Sequence, residues 1–249
     1  MKKNNIIQPY KKDSHYSYAS GAYATIELLS ARPEQAEKII IHSAYKDSEG
    51  LAELCRQKCV EIHFSDKEFK RINQKENTYV LGIFSKYDCK LSFDRPHVVL
   101  VNPSDKGNLG TIIRTLAGFN INDLAIITPA ADFWDPKVIR ASMGAIFRIN
   151  VEQFASFEEY SRRYPQHSLY PFMTDGETDL IVKQDCPLNT CYSLIFGNEA
   201  AGLPEKFRNV GTCFRIAHSE IIDSLNLSVA VGIGVCFITS ALPPPLDFN

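Results

Sequence analysis

Three segments combine residue types that could bind an anion or orient a substrate, and each follows an apolar run. The first is Asn102-Pro103-Ser104-Asp105-Lys106-Gly107-Asn108-Leu109-Gly110-Thr111-Ile112-Ile113-Arg114-Thr115. It leads into a helix, whose amino end exposes backbone N–H groups and the positive end of the dipole. Arg114 stands in the early turns of that otherwise apolar helix. Its guanidinium suits a phosphate or a carboxylate through a bidentate fork; the other reading is a solvated or ion-paired structural arginine. The second segment is Gly197-Asn198-Glu199-Ala200-Ala201-Gly202-Leu203-Pro204, in which two glycines flank a polar pair. Glycine permits close backbone approach to a ligand, or simply a tight turn. The third runs from Ile216 to Ser228. Ser224 there reads as a helix N-cap, whereas Asn226 has no such local explanation.

These segments need a scaffold, and the flanking pattern supplies one. From His97 onward, short apolar strands alternate with helical stretches: His97–Val101, Thr111–Phe119, Leu124–Thr128, Pro136–Met143, Phe147–Val151, Ser168–Met173, Cys191–Phe196, Thr212–Ile216 and Leu225–Ser240. Ser156-Phe157-Glu158-Glu159 has the form of a capping box and predicts a further helix. Such alternation predicts a parallel α/β sheet with helices on both faces, whose ligands bind at the carboxyl ends of the strands. Residues 15–92 form a separate small α/β pattern, with helices over Ala22–Ser30 and Ser48–Lys58 and strands at Lys38–His42, Val60–Phe64 and Tyr79–Phe84. A polar stretch closing on Asp94-Arg95-Pro96 marks the boundary. The organisation predicted is a basic tail over 1–14, a first domain over 15–92 and a second over 93–249.

Composition narrows the classes. With 249 residues, 45% of them hydrophobic, the chain can build a proper core. No apolar run reaches the roughly 18 residues of a membrane span, and Ile6-Ile7 is too short for a signal-peptide core. A cytoplasmic protein without membrane contact is expected. Seven cysteines, with no Cys-x-x-Cys pair, argue against a disulfide framework and a zinc ribbon. Cys55, Cys59 and His63 fall at four-residue spacing, either as a metal face or as a helix running into a strand; the latter is favoured, and no metal is expected. The net charge of −2 leaves room for a local basic patch such as Lys2, Lys3, Lys11 and Lys12.

Together the three segments resemble the motifs of the SpoU (TrmH) family of RNA 2′-O-methyltransferases, within the SPOUT superfamily. Asn108, Gly110 and Arg114 match the first motif. Gly197, Asn198, Glu199, Gly202 and Leu203 match the second, and Ser224, Leu225, Asn226, Leu227, Ser228 and Ala230 the third. Ser142-Met143-Gly144-Ala145 with Phe147-Arg148 is similar to the family's connecting region. The likeness covers about residues 97–240, and the first domain resembles the small ribosomal-protein-like α/β unit that many members use to bind RNA. Ala217 and Glu220 stand where the family usually carries proline and glycine.

The resemblance implies a deep trefoil knot in the second domain. It implies S-adenosylmethionine held mainly through backbone groups at Gly197, Ile216 and Leu225, and a site built from Arg114, Glu199, Ser224, Asn226 and Asn108. It also implies a homodimer and an RNA substrate, with ribosomal RNA favoured over transfer RNA. Two other readings are a non-catalytic RNA-binding protein that keeps the fold and a nucleotide-dependent oxidoreductase. The first is opposed by the intact motif residues. The second lacks a Gly-x-Gly-x-x-Gly after Val98–Val101.

Overall fold

The computed structural model describes residues 8–72, 78–176, 178–179 and 191–241. Lys2 and Lys3 of the basic tail, Cys186 and the Pro243-Pro244-Pro245 run lie outside them. The chain divides into two compact units, Met1–Tyr87 with Asp132–Arg148, and Asp88–Ala131 with Ile149–Asn249.

The first unit is built on β1 (Tyr16–Ser20), α1 (Ala22–Ala31), β2 (Ala36–Ile41), α2 (Ser48–Gln57), β3 (Glu61–Phe64), α3 (Asp66–Ile72) and β4 (Val80–Ser85). The sheet order is β1-β4-β2-β3, with β4 antiparallel to both β1 and β2. Side chains alternate across a strand, and the two cores follow that rule. Ile39, Ile41 and Val80 join Leu29, Leu51 and Cys55 on one face. Ile40, Leu81 and Ile83 meet Tyr18 and Phe69 on the other. β1 and α3 escape the pattern reading because each carries little apolar signal: Tyr-Ser-Tyr-Ala-Ser in β1, and Phe69 as the one buried side chain of α3. The four-residue spacing of Cys55, Cys59 and His63 does not make a common face. α2 ends at Gln57, Cys59 turns left-handed (φ 56°) and His63 stands on β3 against Glu61.

Residues 132–148, expected within the second domain, pack in the first unit instead, and its chain boundary falls at Tyr87 rather than at residue 92. Their helix α5 (Pro136–Ala141) is capped by Asp135, which accepts from Lys137 N. Trp134 and Phe147 meet the Phe84 ring with centroids 5.5 and 5.0 Å away, and buried Ser17 donates to the Trp134 carbonyl. Gly144 is left-handed (φ 83°), and a Cβ there would fall 2.7 Å from Glu27 Cβ and 2.8 Å from Ala24 Cα. The apolar residues of this excursion bury against β1, β4 and α1, a partnership that local periodicity does not encode.

The second unit contains β5 (His97–Val101), α4 (Lys106–Gly118), β6 (Asp123–Ile127), β7 (Asn150–Phe154), α6 (Phe157–Arg163), β8 (Ser168–Pro171), β9 (Thr178–Asp179), β10 (Tyr192–Phe196), β11 (Phe214–Arg215) and α7 (Leu227–Ala241). Five strands form the parallel sheet β7-β6-β5-β10-β8. β5, β6 and β10 are buried along their whole length, with the polar His97, Asp123 and Ser193 buried among their apolar residues. The extended stretch expected at 147–151 is a tight turn over Ala145–Phe147 followed by β7. Ser156 caps α6 by accepting from Glu159 N. α4 begins five residues before the expected Thr111 because the Asp105 side chain accepts from Asn108 N at 2.7 Å. Phe119 lies past the end of α4 and is exposed rather than facing inward. β10 lies between β5 and β8, so the loops after β5 and β10 emerge side by side. Among the described residues no helix is long and apolar enough to cross a membrane.

Candidate active site

At the carboxyl ends of β5 and β10 the two loops are tied together by Glu199. Its carboxylate accepts from Ser104 N (3.0 Å), Ser104 Oγ (2.8 Å) and Asp105 N (2.9 Å). Burial by itself would raise the Glu199 carboxyl pKa. The backbone donors at Asp105 and Ser104 outweigh it and hold the group below the usual carboxylate range. A longer contact of 3.5 Å runs from Asn108 Nδ2 to Glu199 Oε1. Asn108 Oδ1 accepts from Asn226 Nδ2 at 3.0 Å. Asn226 Oδ1 in turn accepts from Ser228 N (2.9 Å) and Ser228 Oγ (2.7 Å). Three of the residues singled out from sequence, Asn108, Glu199 and Asn226, thus form one chain of contacts. Asn226, not Ser224, caps α7: it precedes Leu227 and accepts from the second N–H of the helix.

The loop after β10 is rigid for local reasons. Asn198 and Gly202 exchange both backbone hydrogen bonds (3.1 and 2.9 Å), and Asn198 Oδ1 accepts from Ala200 N and Ala201 N. Asn198 Nδ2 reaches Asn102 O at 2.8 Å. Gly202 takes the left-handed conformation (φ 65°) that closes the turn. A Cβ on Gly197 would lie 2.1 Å from the Gly202 carbonyl carbon and 2.3 Å from Leu203 N. The glycine is therefore demanded by the loop itself, and a side chain at 197 would break the turn before it could crowd a ligand.

Beside this loop lies a cavity of about 270 Å³. Gly197, Glu199, Ile216, Ser224 and Leu225, all singled out from sequence, line it. Phe172 and Phe196, stacked with centroids 4.4 Å apart, also line it, together with His218 and Asp223. The lining holds two carboxylates, Glu199 and Asp223, and no lysine or arginine. Apolar and aromatic walls with anionic groups fit a flat nucleoside bearing positive charge. Among the described residues no group of three or more His, Cys, Asp or Glu side chains is placed to hold a metal ion.

The SpoU rRNA Methylase family model matches residues 95–236, more than half of the chain. The chain belongs to this family. A Bacillus subtilis protein named for 2′-O-methylation of cytidine 34 in tRNA is 31% identical over 140 residues, covering 55% of this chain and 87% of that protein. The mitochondrial rRNA methyltransferase 3 of Xenopus tropicalis is 40% identical over 81 residues, which cover 29% of this chain and only 20% of that protein. In fold, the chain is similar to an AdoMet-bound rRNA methyltransferase from Sinorhizobium meliloti, with a TM-score of 0.76 at 24% identity over 92% of this chain and 88% of that one.

In this SpoU protein the motif residues do not all converge. Arg114 lies on the exposed side of α4, outside the cavity lining, and makes no hydrogen bond or ion pair among the described residues. The structure shows no bond from it to Ser224 or Asn226. Ala217 and Glu220, the departures from the family pattern, are both exposed, and the loop carrying them still delivers Ile216 and Leu225 to the cavity. Sequence reading passed over Ser104 and Asp105 as ligands of Glu199, and His218, Asp223, Phe172 and Phe196 as cavity walls. Only Asp105 left a local signal, an N-cap residue three positions before Asn108.

Proposed function

We propose that this protein transfers a methyl group from S-adenosylmethionine to a ribose 2′-hydroxyl of RNA, with ribosomal RNA as the substrate. The observation that carries this reading is the Glu199–Asn108–Asn226 chain beside an apolar, anion-edged cavity, in a member of the SpoU family. The cofactor supplies a methyl already activated on a sulfonium, so the protein has to position, desolvate and manage one proton. Gly197, Ile216 and Leu225 line the cofactor's place. Phe172 and Phe196 keep water from it, and Asp223 complements its positive charge. Asn108 and Asn226 hold the substrate edge, and Ser224 faces the ribose. Arg114 clamps a phosphate beside the reacting hydroxyl. An arginine guanidinium is a donor and not a ready base, so the proton passes to another acceptor, for which a phosphate oxygen of the RNA is suited. Ribosomal RNA is favoured because the chain adds a small α/β unit ahead of the SpoU match at residues 95–236. The test is methylation of ribosomal and transfer RNA with labelled cofactor, followed by mapping of alkali-resistant linkages. Arg114→Lys is expected to lower turnover on the order of 100-fold with cofactor affinity kept. Near-normal turnover would remove the planar fork from the mechanism, and base rather than ribose methylation would overturn the reading.

The same reading includes a homodimer and a knotted second unit. Val229 (49% exposed), Ile233 (39%) and Cys236 recur at helical spacing along the outer face of α7. An apolar stripe beside the cavity suits a second copy of the chain, and that copy would offer Arg114 a partner that the described residues of its own chain do not. The knot is supported by the insertion of β10 between β5 and β8 before the chain returns through α7 to α4. Ile233→Glu is expected to leave a folded monomer with little methylation. A dimer that persists in sedimentation would place the interface elsewhere.

The first unit is assigned the grip on RNA. Deleting residues 1–92 alone would strip Trp134 and Phe147 of their packing against Phe84, so charge reversal is the cleaner probe. Lys11 and Lys12 are both exposed. Converting both to glutamate should weaken RNA binding and flatten its dependence on salt by about two counterions. An unchanged salt slope would take the tail out of the interface.

A further inference from the structure

We infer that His218 selects the methyl donor by accepting a hydrogen bond from one of the donor's N–H groups. This rests on the cavity being the cofactor site. His218 lines that cavity and is half-buried. Its Nδ1 lies 2.8 Å from the carbonyl oxygen of Ile216, two residues back. A carbonyl can only accept, so Nδ1 must carry the hydrogen. In the neutral ring this leaves Nε2 as a bare acceptor. No described residue donates to Nε2. Ile216 is itself a wall of the cavity, so the bond that sets the tautomer also fixes the ring at the cavity edge.

The remaining lining side chains sharpen the assignment. Phe172, Phe196, Leu225 and Leu227 offer no acceptor, and the Glu199 and Asn198 side-chain oxygens are committed to backbone N–H groups; Asp223, Ser224 and Thr174 bring the lining's other acceptor oxygens, and His218 brings its one ring nitrogen. In the neutral ring Nε2 is therefore an acceptor held in place on a lining that also carries Phe172 and Phe196, and such a hydrogen-bonding site discriminates between ligands. A ligand lacking the matching donor leaves the site unpaired. S-Adenosylmethionine and its demethylated product have two N–H sources, the 6-amino group of the adenine and the amino group of the amino-acid tail. Both are donors of the required kind.

The experiment is calorimetry of the full chain with S-adenosylhomocysteine, its 6-oxo (inosine) counterpart and its desamino counterpart. Each is titrated into the wild type, His218→Phe and His218→Gln. The wild type should bind S-adenosylhomocysteine roughly tenfold tighter than the counterpart lacking the matched donor. His218→Phe, which keeps a ring but has no acceptor, should abolish that preference, and His218→Gln, which retains a carbonyl acceptor, should keep part of it. Loss of the preference against the inosine compound identifies the adenine amine as the partner; loss against the desamino compound identifies the amino-acid amine. If His218→Phe keeps both preferences, the inference is overturned. The Nε2 resonance of wild-type His218 gives a readout that needs no variant. It should move on addition of S-adenosylhomocysteine, and a bound complex with an unmoved resonance would equally overturn the inference. Failure of the wild type to bind S-adenosylhomocysteine at all would remove the cofactor site itself, an outcome separate from binding that ignores His218.

Discussion

Replacing Glu199 with alanine is expected to lower methyl transfer on the order of 100-fold, the scale of loss when reacting groups are displaced by about 1 Å. The carboxylate receives the backbone N–H groups of Ser104 and Asp105, the Ser104 hydroxyl and the distant edge of Asn108. Removing it leaves the N–H groups of Ser104 and Asp105 without their acceptor, and because both residues are exposed water takes its place, so the loss is of loop position more than of stability. The Asp105 cap that starts α4 sits in the same loop, so Asn108 and the turns leading to Arg114 lose their anchor. Glu199→Gln is expected to fail nearly as badly, because its NH2 group would face backbone donors. Asn226→Ala provides the comparison. It loses a helix cap worth about 1 kcal/mol together with the bond to Asn108, and should both melt slightly earlier and turn over slowly. Ser224→Ala should turn over slowly with its melting temperature unchanged, since Ser224 caps nothing. Full turnover by Glu199→Ala, with normal cofactor affinity, would take this chain of contacts out of the reaction.

The second large effect is loss of stability in mild acid, and it arises at the opposite end of the sheet. His97 opens β5 and is fully buried. Its Nε2 lies 2.7 Å from Ser92 O and its Nδ1 2.8 Å from the Tyr160 hydroxyl. That hydroxyl is 2.6 Å from Ser193 Oγ, and Ser193 Oγ is 2.9 Å from His167 Nδ1. Burial pushes the His97 pKa down to about 3, with His167 adding to the shift and the Ser92 carbonyl and Glu152 opposing it. His167 is lowered as well, again chiefly by burial. The unfolded chain takes up protons near pH 6.5 while the folded chain refuses them. Stability is therefore whole above pH 6.5 and falls as the pH drops from there toward about 3. The slope is about 1.4 kcal/mol per pH unit for each histidine kept neutral. Glu199, with its lowered pKa, adds a further loss only at lower pH, as its carboxylate is protonated. Thermal melts should fall steadily from pH 7 to pH 5, and His97→Gln should flatten that dependence. A midpoint constant over this range would show that the cluster accepts a proton at no cost.

Much of the site is readable in the order of residues because the responsible physics is local. Apolar runs such as Val98–Val101 and Leu194–Phe196 announce buried parallel strands, and the segments after them announce ligand loops. Ser156 at a helix start and glycine at 197 and 202 speak through neighbours a few positions away. The same logic misled where two local explanations competed. Ser224 was the obvious cap by residue type, yet α7 begins three residues later and Asn226 takes the task.

What the sequence determined, then, was the class of fold, the three loops and the chemical types gathered there. The tertiary structure decided how they are used. Glu199 meets Asn108 across 91 positions and Asn226 meets Asn108 across 118, because β10 is inserted beside β5 and α7 packs on α4. Residues 132–148 leave the second unit for the first because Trp134 and Phe147 find Phe84, a choice made by complementary shape and not by periodicity. Arg114 stands apart from the cavity for the same kind of reason: helical phase puts it on the outer side of α4, whatever its motif. A side chain's type and spacing follow from the chain alone, whereas its partner depends on which distant surface the folded backbone brings within about 3 Å.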